Sequence, residues 1–192
     1  MTVTSRHPDW LTDLRALNRL FLDYLVTLAR ETRPCLGLPR HVARQLHASR
    51  PETLDRIAEL PVALFRLVLV TKPVSHALPR DRHEQMWWSL TLTILSSAWH
   101  LTRSHPFEAR AFLHLSDDEA RQLRAVPVSE LATLARSPTL LRCAFADGAF
   151  TWPALVRLED FDDERMLTLI ALQPAAANAS RATPHDAARV SV

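Results

Sequence analysis

The stretch LGLPRHVARQLHA, residues 36–48, has a counterpart in LHLSDDEARQLRA, residues 113–125. The two segments align without a gap when Leu36 is placed on Leu113. Both contain Ala-Arg-Gln-Leu in the same register, and further identical pairs extend the alignment: Leu54 with Leu131, Ala58 with Ala135, Pro61 with Pro138 and Leu64 with Leu141. Matches in one register over about thirty residues indicate that one short helical unit is duplicated.

Glycine is scarce in this sequence and proline is frequent, with 2 Gly against 13 Pro in 192 residues. Tight strand hairpins and phosphate-binding loops need glycine for positive φ angles, whereas helices separated by prolines do not. Hydrophobic residues make up 47% of the chain, which is enough to bury one sizeable core or two small ones. We therefore predict a folded protein of the all-α class.

Helix boundaries in the first unit follow from apolar residues at spacings of three and four and from prolines. A long helix is predicted from Asp9, whose carboxylate can cap it, to a point before Pro34. Two short helices are predicted to begin near Pro39 and Pro51, because proline is tolerated in a first helical turn. The apolar run of residues 62–70 closes the unit.

The second unit repeats this order of elements. A long helix is predicted from Arg80 to Ser104, with an apolar band wide enough for burial on more than one side. Ser116 followed by Glu119 is a capping-box motif for the next helix, and Val128-Ser129 is predicted to cap the helix after that.

The duplication divides the chain into two repeats and a C-terminal part. The repeats are predicted over residues 9–70 and 80–150, packed as a pseudo-dimer because each has an apolar face to cover. Residues 151–173 are predicted to form a C-terminal helical region, in which five carboxylates between 159 and 164 suit a helix start. Residues 174–192, rich in Ala, Ser and Thr, are predicted to be a disordered tail.

No catalytic, metal or cofactor motif is recognisable. There is no Gly-rich phosphate loop and no G-x-S-x-G, and His83-Glu84 lacks the second histidine that H-E-x-x-H requires. Cys35 and Cys143 lie far apart and form no C-x-x-C pair, and Cys143 is interpreted as a small buried hydrophobe. We therefore predict a protein that is not an enzyme and has no metal site and no cofactor.

Localisation signals are also missing from the sequence pattern. The first ten residues contain no apolar signal core, and the run of residues 61–70 is too short and too interrupted to cross a bilayer. A cytoplasmic protein without a membrane partner is predicted.

Arginine dominates the basic residues, because all of the 23 except Lys72 are arginine. Its planar guanidinium suits phosphates and guanine edges, although a codon bias towards arginine is an alternative cause. Eight arginines on the short helices are candidate DNA-binding residues: Arg40, Arg44, Arg50, Arg56, Arg121, Arg124, Arg136 and Arg142. Carboxylates interrupt both sets, so a solvated mixed-charge face is the alternative interpretation.

Three tryptophans lie on the long helix of the second unit: Trp87, Trp88 and Trp99. An adjacent pair is not expected to direct both rings into one core. A partner-binding role and a core role are therefore both left open for these residues.

The second unit resembles the FlhD family, the partner of FlhC in the bacterial master regulator of flagellar genes, and its relatives on integrative and conjugative elements. The pattern is carried by Phe112-Leu113-His114-Leu115-Ser116, Glu119-Ala120-Arg121-Gln122-Leu123, Leu131-Ala132-Thr133-Leu134-Ala135 and the segment from Leu141 to Phe145. The first copy, residues 17–67, matches less fully, because Cys35 replaces the phenylalanine and Pro39 the polar cap.

This resemblance implies an all-helical transcription activator subunit that acts on promoter DNA, alone or only in complex with a protein partner. In the family, the FlhC-like partner contributes a four-cysteine zinc site and much of the DNA contact. The present sequence lacks those cysteines and so does not resemble the FlhC half. Because the chain is a tandem, its covalent pair is expected to replace the family's dimer, and further homo-oligomerisation is left open.

A second interpretation belongs to a different class of protein. A helical adaptor of a bacterial secretion or motility apparatus would use tryptophans and apolar helix faces to bind a protein, with its arginines merely solvated. Salt distinguishes the two hypotheses, because phosphate binding weakens steeply as salt rises.

Overall fold

The computed structural model describes residues 9–69, 79–145 and 151–156, and these ranges are mostly helical with one small sheet. The predicted helical class is thus confirmed in coarse form, while two short strands depart from a strictly all-α fold. The described elements are α1 Asp9–Arg30, α2 Arg40–Ala48, α3 Pro51–Ala58, β1 Phe65–Leu67, α4 Arg82–Ser104, α5 Pro106–Phe112, α6 Asp117–Ala125, α7 Val128–Leu134, β2 Leu141–Cys143 and α8 Thr151–Val156.

Helix α1 organises the first half of the molecule. Its described part runs from Asp9 to Arg30, and the helix ends before Pro34, as its sequence pattern predicts. Its apolar stripe, which includes Leu14, Phe21 and Leu25, is buried where α2, α3 and α4 pack against it. The two short helices start at Arg40 and Pro51, in agreement with the proline signals.

A fully buried asparagine on α1 holds the segment that follows α3. The Asn18 side-chain nitrogen lies within hydrogen-bond distance of the carbonyl oxygens of Ala58, Leu60 and Val62, at 3.3, 3.3 and 2.9 Å. Its side-chain oxygen accepts from the backbone N–H of Leu64 at 3.0 Å. One amide thus provides partners for several backbone groups, of which those of Ala58 and Leu64 are buried.

The two halves are joined by a small antiparallel sheet that the sequence analysis did not predict. Strand β1 pairs with β2 in the register Phe65 with Cys143, Arg66 with Arg142 and Leu67 with Leu141. The outer residues of each strand are buried and the central arginine is more exposed, which is the alternation of a half-covered sheet. Strands of this length are too short to produce a recognisable period of two.

In the second half, α4 packs against α1, α5, α6 and α7. The capping box is present as predicted, since the Ser116 hydroxyl accepts from the Glu119 N–H and the Glu119 carboxylate accepts from the Ser116 N–H. One prediction needs correction, because the N-cap residue of helix α7 is Pro127 rather than Val128-Ser129. A further helix, α5, was not predicted from the sequence; it follows α4 and has Pro106 in its first turn.

Two helices of the first half and two of the second are separated by the same number of residues that aligns the two similar segments of the sequence. Helices α2 and α6 have the same length, and the shift that places Leu36 on Leu113 also places the first residue of α2, Arg40, on that of α6, Asp117. The same shift places Pro51, the first residue of α3, on Val128, the first residue of α7.

Helix α8 returns to the first half, where it packs against α2 and α3. Trp152 on α8 is 1% exposed, and its indole N–H donates to the carbonyl oxygen of Ala144 at 2.6 Å. The predicted C-terminal helical region is described only to residue 156, and the remainder of that prediction, together with the tail 174–192, lies outside the described residues.

None of the helices described here combines the length and the apolar character that a bilayer-spanning segment requires.

Candidate nucleic-acid interface

Helix α2 packs its apolar side against the core, and its basic side chains are therefore exposed to solvent. Val42, Ala43 and Leu46 are buried against the core. Arg40, Arg44 and His47 are exposed, and their spacing of four and three residues places them along one side of the helix. We call these three side chains, with exposed Arg50 after the helix, the α2 basic face.

The stretch of sequence around the α2 basic face contains no acidic residue. From residue 32 to residue 51 there is no Asp or Glu, so the nearest carboxylates along the chain are Glu31 and Glu52. Glu31 is paired with Arg33 at 3.0 Å. Among the described residues, no ion pair involves Arg40, Arg44 or Arg50. The positive charge of this face is therefore uncompensated in the described part of the chain.

Arg56 on α3 lies in a different electrostatic setting. It is exposed, but Glu52, Asp55 and Glu59 are exposed on the same short segment. Asp55 is itself paired with Arg19 of α1. This helix therefore has the mixed-charge surface that was the alternative interpretation.

The arginines of α6 are likewise surrounded by carboxylates. Arg121 is paired with Asp118, and Asp117 is paired with Arg110 of α5 at 2.6 Å. Arg124 is exposed and without an ion pair among the described residues. Acidic residues in the first turn of α6 also suit the helix dipole, so most of the charge here is balanced locally.

The last two candidate arginines lie around β2. Arg136 is half-buried and engaged in a contact, whereas Arg142 is exposed opposite Arg66 in the sheet. Arg66 approaches Glu119 at 3.6 Å. The eight predicted arginines thus fall into an unpaired group on and after α2 and a second group that is mostly compensated or partly buried.

The three tryptophans of α4 bind backbone carbonyls within the chain. Trp87 is 8% exposed, and Trp88 and Trp99 are half-buried and pack against the same core. The adjacent pair therefore does share one core, contrary to the sequence-based expectation. Each indole N–H has an internal acceptor: Ser137 O for Trp87 at 3.2 Å, Ala132 O for Trp88 at 3.0 Å and Val126 O for Trp99 at 2.8 Å. A partner-binding role for these residues remains a prediction.

An apolar feature that the sequence analysis missed lies between α5 and α6. Phe107 is 78% exposed and borders an open groove of about 430 Å³. Residues from α4, α5 and α6 line the rest of the groove, including Thr102, Ala120, Arg110, Arg121 and Arg124. The only sequence signal was a phenylalanine after a helix-starting proline, where apolar periodicity is too short to assign a buried side.

The two cysteines occupy positions that disfavour thiolate chemistry. Cys35 and Cys143 are each 4% exposed, and burial raises the pKa of both thiols. A protonated buried thiol is a weak nucleophile and a weak metal ligand. Within the described ranges, no group of three or more His, Cys, Asp or Glu side chains is arranged to hold a metal ion.

Comparison with known proteins yields no relative. No protein-family model, no curated protein and no solved structure matches this chain. The resemblance to the FlhD family therefore rests on the sequence pattern alone and stays a prediction.

Proposed function

We propose that this chain is a non-enzymatic, FlhD-like transcription regulator that contacts promoter DNA through the α2 basic face, with a protein partner contributing further contacts. The observation that carries the proposal is the unpaired charge of Arg40 and Arg44 on one side of α2, followed by exposed Arg50, in a stretch of sequence without acidic residues. Phosphate contacts of this kind supply most of the non-specific affinity of proteins for DNA.

The size of α2 is compatible with this role. A helix of its length extends about 13 Å, and a helix with its side chains is about 10–12 Å across. The major groove of B-DNA is about 12 Å wide and admits one helix. Arginine adds bidentate hydrogen bonds to phosphate or guanine that lysine does not offer.

The tandem, pseudo-dimeric organisation is part of the same proposal, and the pairing in the sheet supports it. The shift that aligns the first unit with the second carries Phe65 onto Arg142, and the reverse shift carries Cys143 onto Arg66. The pair of Phe65 with Cys143 therefore maps onto the pair of Arg66 with Arg142, which is also present. This exchange is what a two-fold axis through the sheet would produce.

The test is binding of the full chain to DNA from its own genomic neighbourhood, with and without the neighbouring gene products, over a series of salt concentrations. The double variant Arg40→Gln with Arg44→Gln is expected to weaken DNA binding about tenfold. It should also reduce the slope of log affinity against log salt concentration by about 2. The matched control removes the same charge from ion-paired positions, Arg110→Gln with Arg121→Gln. Absence of binding in every combination, or equal losses in both variants, would refute the proposal.

A second candidate function, a helical adaptor that binds a protein, is favoured by exposed Phe107 at the edge of its groove. An exposed aromatic ring at the edge of a groove that is also lined by arginines is typical of a protein-binding anchor. Its test is recovery of a secretion or motility component from the native host by the tagged chain. The complex should resist high salt and be lost with Phe107→Ser, but not with Val128→Ser, which alters another exposed apolar residue.

A further inference from the structure

Helix α8 holds the end of the described chain against α2 and α3, the first of which carries the α2 basic face on its solvent side. It packs against α2 and α3, and its Trp152 and Leu155 are buried at 1% and 0% exposure. Val156, the last residue of α8, is therefore held on the first half of the molecule. Whatever follows Val156 along the chain begins close to α2.

The sequence that follows is strongly acidic. Residues 159–164 read Glu-Asp-Phe-Asp-Asp-Glu and carry five carboxylates. The flanking Arg157 and Arg165 leave residues 157–165 with a formal charge of −3, from two arginines and five acids. A strongly acidic run thus begins three residues after a helix that packs against α2 and α3.

Chain length allows the two charged regions to meet. An extended chain advances about 3.5 Å per residue, so Glu159 can reach about 10 Å and Glu164 about 28 Å from Val156. Helix α2 is about 13 Å long. Attachment through a short linker also raises the effective concentration of the acidic run at the face to the order of millimolar, which favours binding between weakly attracting partners.

We propose that residues 159–164 bind the α2 basic face within the same chain, through Arg40 and Arg44, and compete there with nucleic acid. The carboxylates match the guanidinium groups, which have no other ion-pair partner among the described residues. The competition rests on the proposed DNA contact, whereas the binding within the chain does not.

The experiment uses the full chain and a variant in which all five carboxylates become amides: Glu159→Gln, Asp160→Asn, Asp162→Asn, Asp163→Asn and Glu164→Gln. Modification of arginine by phenylglyoxal is followed residue by residue with mass spectrometry. In low salt, Arg40 and Arg44 should be modified about five-fold more slowly in the native chain than in the variant, because ion pairing shields them. Arg124, exposed on α6, is the internal control and should react equally in both.

DNA affinity is measured on the same two proteins. If the amide variant shows both faster modification of Arg40 and Arg44 and an affinity for DNA about ten-fold higher than the native chain, the contact and the competition are both supported. Faster modification with no DNA binding by either protein would support the contact and overturn the DNA proposal. Equal modification rates at Arg40 and Arg44 would overturn the contact, whatever the DNA affinities are.

Discussion

The side-chain amide of Asn18 in α1 binds the backbone of Leu64, which is distant in sequence, with 3.0 Å between the Asn18 oxygen and the Leu64 nitrogen. The same amide lies within hydrogen-bond distance of three carbonyl oxygens in the segment that joins α3 to β1. Asn18, Ala58 and Leu64 are all buried, so water cannot take the place of the Asn18 amide at the backbone groups of Ala58 and Leu64. This residue therefore sets the position of β1, and with it the junction between the two halves.

Replacing Asn18 with leucine should lower the free energy of unfolding by about 3 kcal/mol, because buried backbone groups lose their partners. Denaturation in urea measures this loss. Thr12→Leu, at an exposed position of the same helix, is the control and should change stability by less than about 0.5 kcal/mol. Equal effects of the two substitutions would mean that the Asn18 hydrogen bonds do not stabilise the fold.

The two serines near helix starts in the second half should respond differently to alanine. Ser116→Ala removes the observed cap of α6 and should cost about 1 kcal/mol of unfolding free energy. Ser129→Ala should be nearly neutral, because α7 is capped at Pro127 and not by this hydroxyl. Urea denaturation of both variants gives the comparison, and a larger loss for Ser129→Ala would contradict the described boundary of α7.

Stability should fall in mild acid through His114. Its ring nitrogen Nε2 lies 3.0 Å from the Ala63 carbonyl oxygen, and burial lowers the pKa of His114 below the usual 6.5. As pH falls from 6.5 towards this lower native pKa, the unfolded chain takes up a proton that the folded chain does not. The free energy of unfolding therefore decreases across that window.

Urea denaturation at several pH values tests this dependence with His114→Asn. Asparagine tolerates the positive φ of 55° at this position, so the backbone can be retained. The variant should lose part of the acid sensitivity of the native chain. His100→Asn, at an exposed position of α4, should keep all of it. An unchanged pH profile in His114→Asn would exclude His114 as the cause.

Both native thiols should react slowly with a disulfide reagent. Burial raises the pKa of Cys35 and Cys143, so little thiolate forms near neutral pH and access is restricted. An added thiol in Ala48→Cys, on the exposed surface of α2, should react at least about a hundred-fold faster and gives the reference rate. Rapid reaction of either native cysteine in the folded chain would contradict its buried setting.

Local signals in the sequence were sufficient for most helix boundaries. The starts of α2 and α3 follow from the prolines before or within a first turn, and the capping box of α6 is readable from Ser116 and Glu119. These signals act over three or four residues, since a helix satisfies its own backbone hydrogen bonds. The constant shift between the two similar segments was also visible without coordinates.

Only the tertiary structure decided which residues pair over long distances. Strand β1 finds its partner β2 in the other half of the chain, and neither strand is long enough for its alternation to be detected in the sequence. Charge compensation is equally non-local, as with Asp55 and Arg19 or with Asp117 and Arg110. The sequence by itself determined most of the helices and the candidate arginines, but not α5. Packing decided which arginines stay unpaired, because ion pairs depend on positions in space and not on distance along the chain.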